Sequence, residues 1–375
     1  MTRKAKGQFS FFHLEERLEK IHQLNSFLPR LNTLINWETF RYQLNKVREK
    51  ERLSNAGRPA FDVVLMFKVL ILKSLYNLSD EMTELMIRDR ISFMEFLGLV
   101  VALVAPTFAD TVPDAKTIWL FAEDLKELGL ERKLFDQFEK ELVRQGFAAK
   151  GGHIVDGSFV EVPKQRNTKE ENEQIKNGEV PETLAENPHV LSQKDTDARW
   201  TKKNDVSYYG YKDHVLADEK FKLIRDYDVT DASVHDSVPF VDLVPKKSAF
   251  DEQEVYADSA YVGEDIDKAL RKRKYKPQIC EKGFRNHPLS EEQKESNRLK
   301  SKVRCRVEHI FGAMKNRCRD EVLRTIGMAR ATFWIGLRNL TYNMSRFVSL
   351  KRPLKPPKLK TKRPKLQAKY PQPAK

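Results

Sequence analysis

The stretch GGHIVDGSFVEV, residues 151–162, marks the point at which the character of the chain changes. Two glycines precede a β-prone run in which a single acid, Asp156, follows apolar residues, and this pattern predicts a strand over residues 153–162. Helical stretches alternate with and follow four further β-rich runs, which cover residues 206–218, 221–230, 254–257 and 276–280. The order predicts an α/β domain with a mixed sheet and flanking helices.

The chain before Gly151 has the spacing of helices. Residues 57–77 form the clearest segment, and a turn and cap signal at residues 77–80 precedes a second amphipathic helix. A third short helix is predicted to begin at Ser92. Short helices with tight turns suit a helix-turn-helix-like DNA reader, although many all-α modules share the pattern. We therefore divide the chain into an α-helical N-terminal region, residues 1–146, and an α/β domain, residues 147–350.

Composition excludes several classes of protein. The 375 residues are 40% hydrophobic and 33% charged, and their longest apolar stretches are too short or too interrupted by lysine to span a bilayer. The first 20 residues lack an apolar segment, so no signal peptide is expected. Three cysteines at no metal spacing suit a reducing cytoplasm.

Positive charge is concentrated at the C-terminus. Residues 351–375 carry eight Lys, two Arg and no acid, which leaves 14 − 10 = +4 for the rest of the chain. Six prolines in the same segment predict a disordered basic tail. Its expected use is sequence-independent attraction to nucleic-acid phosphates, and a merely solubilising tail is the alternative. Residues 163–205 are polar and predict a long surface insertion in the α/β domain.

Two aspartates stand at or near strands. Asp156 is followed by glycine, and Asp-Gly between β-prone runs is also a hairpin-turn signal. Asp258 directly follows the short run 254–257 and precedes a helix, where a helix cap or an Asx turn is the ordinary role. Each aspartate taken alone therefore has a structural reading as well as a catalytic one.

A third acid lies in RCRVEHIFGAMKNR, residues 304–317. On a single helix, Glu308 would lie about 40° and Lys315 about 20° around the axis from Arg304. A surface helix with an Arg–Glu pair is the plain alternative. Carboxylates from two strands and one helix would repel one another if they converged, so such a site needs a metal. Hard oxygen ligands holding two Mg²⁺ ions are suited to phosphoryl chemistry on DNA.

The motifs together resemble the bacterial insertion-sequence DDE transposases, specifically the insertion-sequence-five branch. Arg304, Glu308 and Lys315 match the spacing of the family's helix signature, with Ser301 at the position of its tyrosine. Asp156 in VDGSFV and Asp258 in YADSAYVG match its two Asp motifs. The resemblance covers residues 57–345 and implies a ribonuclease-H-like catalytic core preceded by an α-helical DNA-binding region.

The resemblance also implies a site and its partners. Asp156, Asp258 and Glu308 would be the catalytic residues and the ligands of two Mg²⁺ ions, with Mn²⁺ as a substitute. Arg304 and Lys315 would hold DNA phosphates, and Lys212, Arg271 and Arg273 are further candidates for DNA contact. The substrates would be double-stranded transposon ends and target DNA, bound by a homodimer, with no membrane partner. A domesticated nuclease and a catalytically silent DNA-binding regulator are the alternatives.

Overall fold

The computed structural model describes residues 16, 18–21, 27–49, 59–99, 112–248, 253–284, 287–317 and 322–351. The basic segment 352–375, for which disorder is predicted, lies outside these ranges. The helices are α1 (Phe27–Leu34), α2 (Arg41–Asn45), α3 (Val63–Tyr76), α4 (Asp80–Asp89), α5 (Ile91–Leu97), α6 (Ala115–Glu127), α7 (Leu130–Arg144), α8 (Lys169–Lys176), α9 (Glu182–Ala185), α10 (Pro188–Leu191), α11 (Ser237–Leu243), α12 (Glu264–Lys272), α13 (Glu291–Arg304), α14 (Glu308–Arg317) and α15 (Met328–Leu350). No helix within the described ranges is both long and apolar enough to cross a bilayer.

The six strands of the described ranges form one mixed sheet. They are β1 (His153–Glu161), β2 (Arg199–Lys203), β3 (Val206–Asp218), β4 (Ile224–Asp231), β5 (Gln253–Ala257) and β6 (Tyr275–Ile279). Their order is β2-β3-β1-β5-β6, and β4 also pairs with β3. β3 is antiparallel to β1, whereas β5 and β6 run parallel to it. The predicted α/β class is confirmed, and the five predicted strands are present within a few residues of their expected bounds.

The N-terminal helices end close to where the sequence indicates, but α3 begins at Val63, six residues after the start of the predicted segment 57–77. Asp62 accepts hydrogen bonds from two amides of the first turn of α3, and that helix ends at Asn77 in the left-handed conformation. Ser79 then caps α4 through the Met82 amide. Most of α3 is buried because its apolar residues surround the whole helix rather than one face.

The helical region and the sheet share one hydrophobic core. α15 contacts α1, α3 and α7 on one side and β4 on the other. Phe138 of α7 packs edge-on against Phe347 of α15, with ring centroids 6.1 Å apart, and both are almost fully buried. The core is therefore continuous across the boundary predicted between residues 146 and 147.

The insertion between β1 and β3 contains more regular structure than its composition suggests. Residues 163–205 include α8, α9, α10 and the edge strand β2, which the sequence did not predict. The insertion is anchored by Asp195, whose carboxylate accepts a hydrogen bond from the buried Tyr211 hydroxyl at 2.8 Å. The Tyr209 hydroxyl also donates to the Asp195 carbonyl at 3.2 Å, and β2 pairs with β3, so several contacts tie this largely exposed segment to β3.

Candidate active site

Asp156 lies within β1 and not in a turn. The strand continues through Gly157 to Glu161, and Asp156 is paired opposite Val215 of β3. The hairpin-turn alternative for the Asp-Gly pair is thereby excluded. One oxygen of the Asp156 carboxylate accepts a hydrogen bond from the Gly157 amide at 2.9 Å.

Asp258 comes to the same end of the sheet. Parallel pairing sets His153 of β1 opposite Val255 of β5. Asp156 and Asp258 each lie three residues beyond this pair, since 156 − 153 and 258 − 255 both equal 3. Residues equally far beyond a paired position on adjacent parallel strands stay opposite each other, so Asp156 within β1 and Asp258 just after β5 are neighbours.

Asp258 also has the local role that the sequence offered as an alternative. It caps the 3-10 turn Ser259–Tyr261 and accepts a hydrogen bond from the Ala260 amide at 2.8 Å. A cap and a ligand role are compatible, because a carboxylate has two oxygens and several acceptor positions. The cap fixes the direction in which the side chain leaves the strand.

Asp156 is harder to ionise than an exposed aspartate. Burial raises the pKa of Asp156 to about 6, and the Asp258 carboxylate pushes the pKa in the same direction. Arg304 acts against this rise, because its guanidinium donates to the Asp156 carboxylate at 3.1 Å. Close carboxylates of this kind are stabilised by a positive charge between them.

Glu308 does not join the pair in this structure. The single helix predicted over residues 304–317 is interrupted, because α13 ends at Arg304 and a 3-10 turn, Cys305–Val307, precedes α14. The tighter turn lets Val307 enter the large core, and it breaks the 100° spacing on which the expected register depended. Glu308 and Lys315 are both exposed on α14.

The oxygen donors at the strand ends suit a hard divalent cation. In the described ranges no group of three His, Cys, Asp or Glu side chains is arranged to hold a metal ion. Asp156 and Asp258 are nevertheless carboxylates, the ligands that Mg²⁺ prefers, and the raised pKa of Asp156 is relieved by added positive charge. The residues present fit such an ion, with Glu308 the ligand that has to be brought in.

Two of the predicted DNA-contact residues are engaged inside the protein. Lys212 is buried; its ammonium donates to the Val234 carbonyl at 2.6 Å and pairs with Asp236 at 2.9 Å. Arg273 donates to the Val244 carbonyl at 2.6 Å, just after α11 ends. A cation at a helix C-terminus complements the helix dipole, which accounts for the placement of Arg273. Lys212 lies instead at the N-terminal side of α11, where Asp236 supplies the opposite charge.

Arg271 and Arg304 are placed differently. Arg271 is exposed on α12, where it pairs with Asp267 at 2.7 Å one turn away. Arg304 is partly buried against Asp156. A surface pair of the first kind is weak and leaves the guanidinium open to competition from a phosphate. To bind DNA, Arg304 would have to leave the Asp156 carboxylate and pair with a phosphate instead.

Sequence reasoning missed a polar group beside the carboxylates. Asp236 lies at the start of α11, yet its side chain makes no cap bond and pairs with Lys212 instead. His214 is fully buried, with its Nε2 2.9 Å from the Thr230 hydroxyl, and burial lowers its pKa to about 4. The sequence feature that could have revealed this polar group is Lys-Asp-His, residues 212–214, because it lies inside a strand that is buried on both faces.

Comparison with known proteins fits this geometry. A family model described as a transposase DDE domain matches residues 148–344, which is more than half of the chain. The chain belongs to the DDE transposase family. A second model, described as a transposase domain, matches residues 15–124 of this transposase.

One protein is similar to the transposase in sequence, and one solved structure is similar to it in fold comparison. The transposase for insertion sequence element IS1106 of Neisseria meningitidis serogroup B is 26% identical over 233 residues, covering 60% of this chain and 74% of the relative. A solved structure, the cryo-EM structure of a piggyBac transposase synaptic complex with hairpin DNA, gives a TM-score of 0.45 at 10% identity. It covers 84% of this chain and 74% of that one.

These findings confirm the predicted function. The transposase is an enzyme that cleaves DNA and transfers strands, with DNA as its partner, and its family depends on a divalent metal. The strand order and the DDE domain agree with a ribonuclease-H-like core. Neither the nuclease nor the regulator alternative is favoured. Membership of the insertion-sequence-five branch stays a prediction.

Proposed function

We propose that Asp156, Asp258 and Glu308 form the catalytic centre in which this transposase cuts transposon ends and joins them to target DNA. The observation that carries the proposal is the placement of Asp156 within β1 beside Asp258, which directly follows the adjacent strand β5. Burial and mutual repulsion support a cation there, because they raise the proton affinity of Asp156. We propose Mg²⁺, two ions, with Mn²⁺ as a substitute.

The side chains have distinct tasks in this scheme. Asp156 and Asp258 are ligands on rigid strand ends, and Glu308 completes the set from the start of α14. The metal ions would activate the attacking oxygen and stabilise the departing one. Arg304 and Lys315 hold phosphates and so orient the scissile strand, which positions the chemistry without reading sequence. Water is the first nucleophile, and the freed 3′-hydroxyl then attacks target DNA.

The rest of the chain would select and gather the DNA. The helices α3, α4 and α5 are our candidates for reading the terminal inverted repeats, with Arg271 and the basic tail adding sequence-independent attraction. Joining two transposon ends calls for a homodimer on DNA. The substrates are chromosomal, so we propose that the transposase works in the cytoplasm at the nucleoid.

Replacing Asp258 tests the catalytic centre most directly. Asp258→Asn keeps the shape and the Ala260 contact but removes the charge that would hold a metal, so cleavage of end DNA with Mg²⁺ should fall by orders of magnitude. End binding, measured by gel shift on the same duplex, should persist because the phosphate and base contacts lie elsewhere.

Asp231→Asn is the matched control. Asp231 accepts from the Ser233 amide at 2.8 Å in a turn, and Asn supports the same contact, so this variant should cleave normally. An active Asp258→Asn enzyme beside a dead Asp236→Asn enzyme would move the ligand assignment to Asp236. Cleavage without any strand-transfer product in the wild type would instead favour a nuclease.

A further inference from the structure

Tyr261 lies in the turn after Asp258, near enough to the carboxylates of Asp156 and Asp258 to be affected by their charge. It ends the 3-10 turn that Asp258 caps, and its ring belongs to the small core that also contains Val155 and Ala257. Each of those two residues immediately precedes one of the aspartates. The ring packs on Phe240 with centroids 4.8 Å apart, which fixes the line along which the hydroxyl points.

The hydroxyl of Tyr261 is buried without a hydrogen-bond partner in the described structure. A buried hydroxyl left unpaired costs free energy, so an otherwise apolar position would be better filled by phenylalanine. Burial, followed by the nearby charges of Asp156, Asp236 and Asp258, raises the pKa of this phenol, so the group remains a neutral donor. Three carboxylates thus lie near the Tyr261 hydroxyl, and none of them accepts a hydrogen bond from it in the described structure.

The carboxylates differ in what already occupies them. Asp236 pairs with Lys212 at 2.9 Å, and Asp258 accepts from the turn amide of Ala260. Asp156 accepts from Gly157 and from Arg304. A divalent cation bound to Asp156 would repel the Arg304 guanidinium, whereas it would leave a neutral donor undisturbed. Asp156 is therefore the carboxylate that loses a donor when metal arrives.

We propose that Tyr261 is a positioning residue whose hydroxyl donates to Asp156 in the metal-loaded enzyme and holds that carboxylate in its ligand orientation. The inference rests on the proposed catalytic centre and adds a residue to it. A donor behind a ligating carboxylate orients the ligand and tunes the metal, and its loss typically weakens metal affinity about 10- to 100-fold. The unpaired Tyr261 hydroxyl then lowers the stability of the protein without metal, and it becomes paired when the metal binds.

Tyr261→Phe tests this with two measurements that do not depend on activity. Calorimetric titration of Mn²⁺ into the full-length protein should show affinity reduced about tenfold relative to wild type. Thermal melting without metal should show an unchanged or higher Tm, because the substitution removes an unpaired buried hydroxyl and keeps the ring.

Tyr211→Phe is the matched control. Its hydroxyl is equally buried but donates to Asp195 at 2.8 Å, so this variant should lose Tm without metal and keep wild-type Mn²⁺ affinity. Wild-type affinity in Tyr261→Phe would overturn the proposal. A metal-free Tm lowered as much as in Tyr211→Phe would also overturn it, because the hydroxyl would already be paired.

Asp156→Asn separates failure of the inference from failure of the site. If Asp156→Asn abolishes Mn²⁺ binding while Tyr261→Phe leaves it intact, only the role of Tyr261 is lost. If Asp156→Asn binds Mn²⁺ as tightly as wild type does, the proposed catalytic centre itself is wrong and the role of Tyr261 is lost with it.

Discussion

The two faces of the sheet bury charge in opposite ways. On the face covered by α15 and α7, Arg225 donates to Glu139 at 2.7 Å and pairs with Asp218 at 2.9 Å. On the face covered by α11, His214 and Tyr261 keep polar atoms without hydrogen-bond partners in the described structure. On the first face each of these charged groups has at least one oppositely charged partner, although Arg225 Nε and Glu139 Oε2 have none in the described structure, whereas the Tyr261 hydroxyl of the second face has no partner there at all.

The positions of the two groups explain the difference. Arg225 joins the N-terminal helices to β4, where a buried ion pair must be complete because an unpaired charge there is destabilising. Tyr261 and Asp236 lie at the strand ends beside Asp156, where a bound group can supply the missing partner. Buried charges that are each balanced by an opposite charge indicate packing, and buried donors without any partner beside acids indicate chemistry.

The largest expected effect lies on the α15 face. Phe347→Ala should lower the free energy of unfolding by about 3–5 kcal/mol, because it opens a cavity between α7, α15 and the sheet. It should leave Mn²⁺ affinity unchanged, the reverse of Tyr261→Phe. Urea unfolding followed by both circular dichroism and tryptophan fluorescence checks this.

The same experiment tests whether the helices and the sheet are one unit. Phe138 and Phe347 belong to a single continuous core, so the two probes should report one transition. Two separated transitions would show that the N-terminal helices unfold on their own and that the contrast between the faces is a contrast between domains.

An intermediate effect is expected at Asp213, the buried acid of the α15 face. Burial raises its pKa to about 7, and its carboxylate accepts from the Asn339 amide at 3.0 Å. The folded pKa lies above the unfolded value, so the folded state holds the extra proton and its stability falls as pH rises from about 4 to about 7.

Asp213→Asn removes this titration. Its amide can accept from Asn339 as before and can donate to the Asn339 oxygen, which has no partner in the described structure. The free energy of unfolding of the variant should exceed that of wild type by about 1–3 kcal/mol at pH 8 and by little at pH 4. This value takes about 1.4 kcal/mol per pKa unit and is reduced because the folded protein relaxes around the charge. Denaturation at the two pH values measures the difference. A constant difference would mean that Asp213 is ionised throughout.

The smallest effect is expected at Asp231, whose carboxylate serves only a turn. Asp231→Asn should change the free energy of unfolding by less than about 1 kcal/mol, because Asn also accepts from the Ser233 amide. Chemical denaturation at pH 7 checks this value. A loss of several kcal/mol would place Asp231 among the completed buried pairs rather than in a turn.

Local patterns predicted much of this molecule. Strand β3 was predicted over residues 206–218 and has those bounds, because alternation and β-branched residues act within one segment. The missed strand β2 is short, polar and at an edge, so it gains its order from pairing with β3 rather than from its own residues. The interruption of α13 before Glu308 was missed for the same reason, since it depends on where Val307 enters the core.

The sequence by itself determined the order of the elements, the α/β class and the three acids that resemble the family motif. Only the tertiary structure decided that Asp156 and Asp258 are neighbours and that Lys212 is buried against Asp236. It also decided that Tyr261 lies near these acids. Periodicity and capping act between residues a few positions apart, so sequence records them directly. Ion pairs and unpaired donors depend on distances between segments far apart in the chain, and strand pairing and packing set those distances.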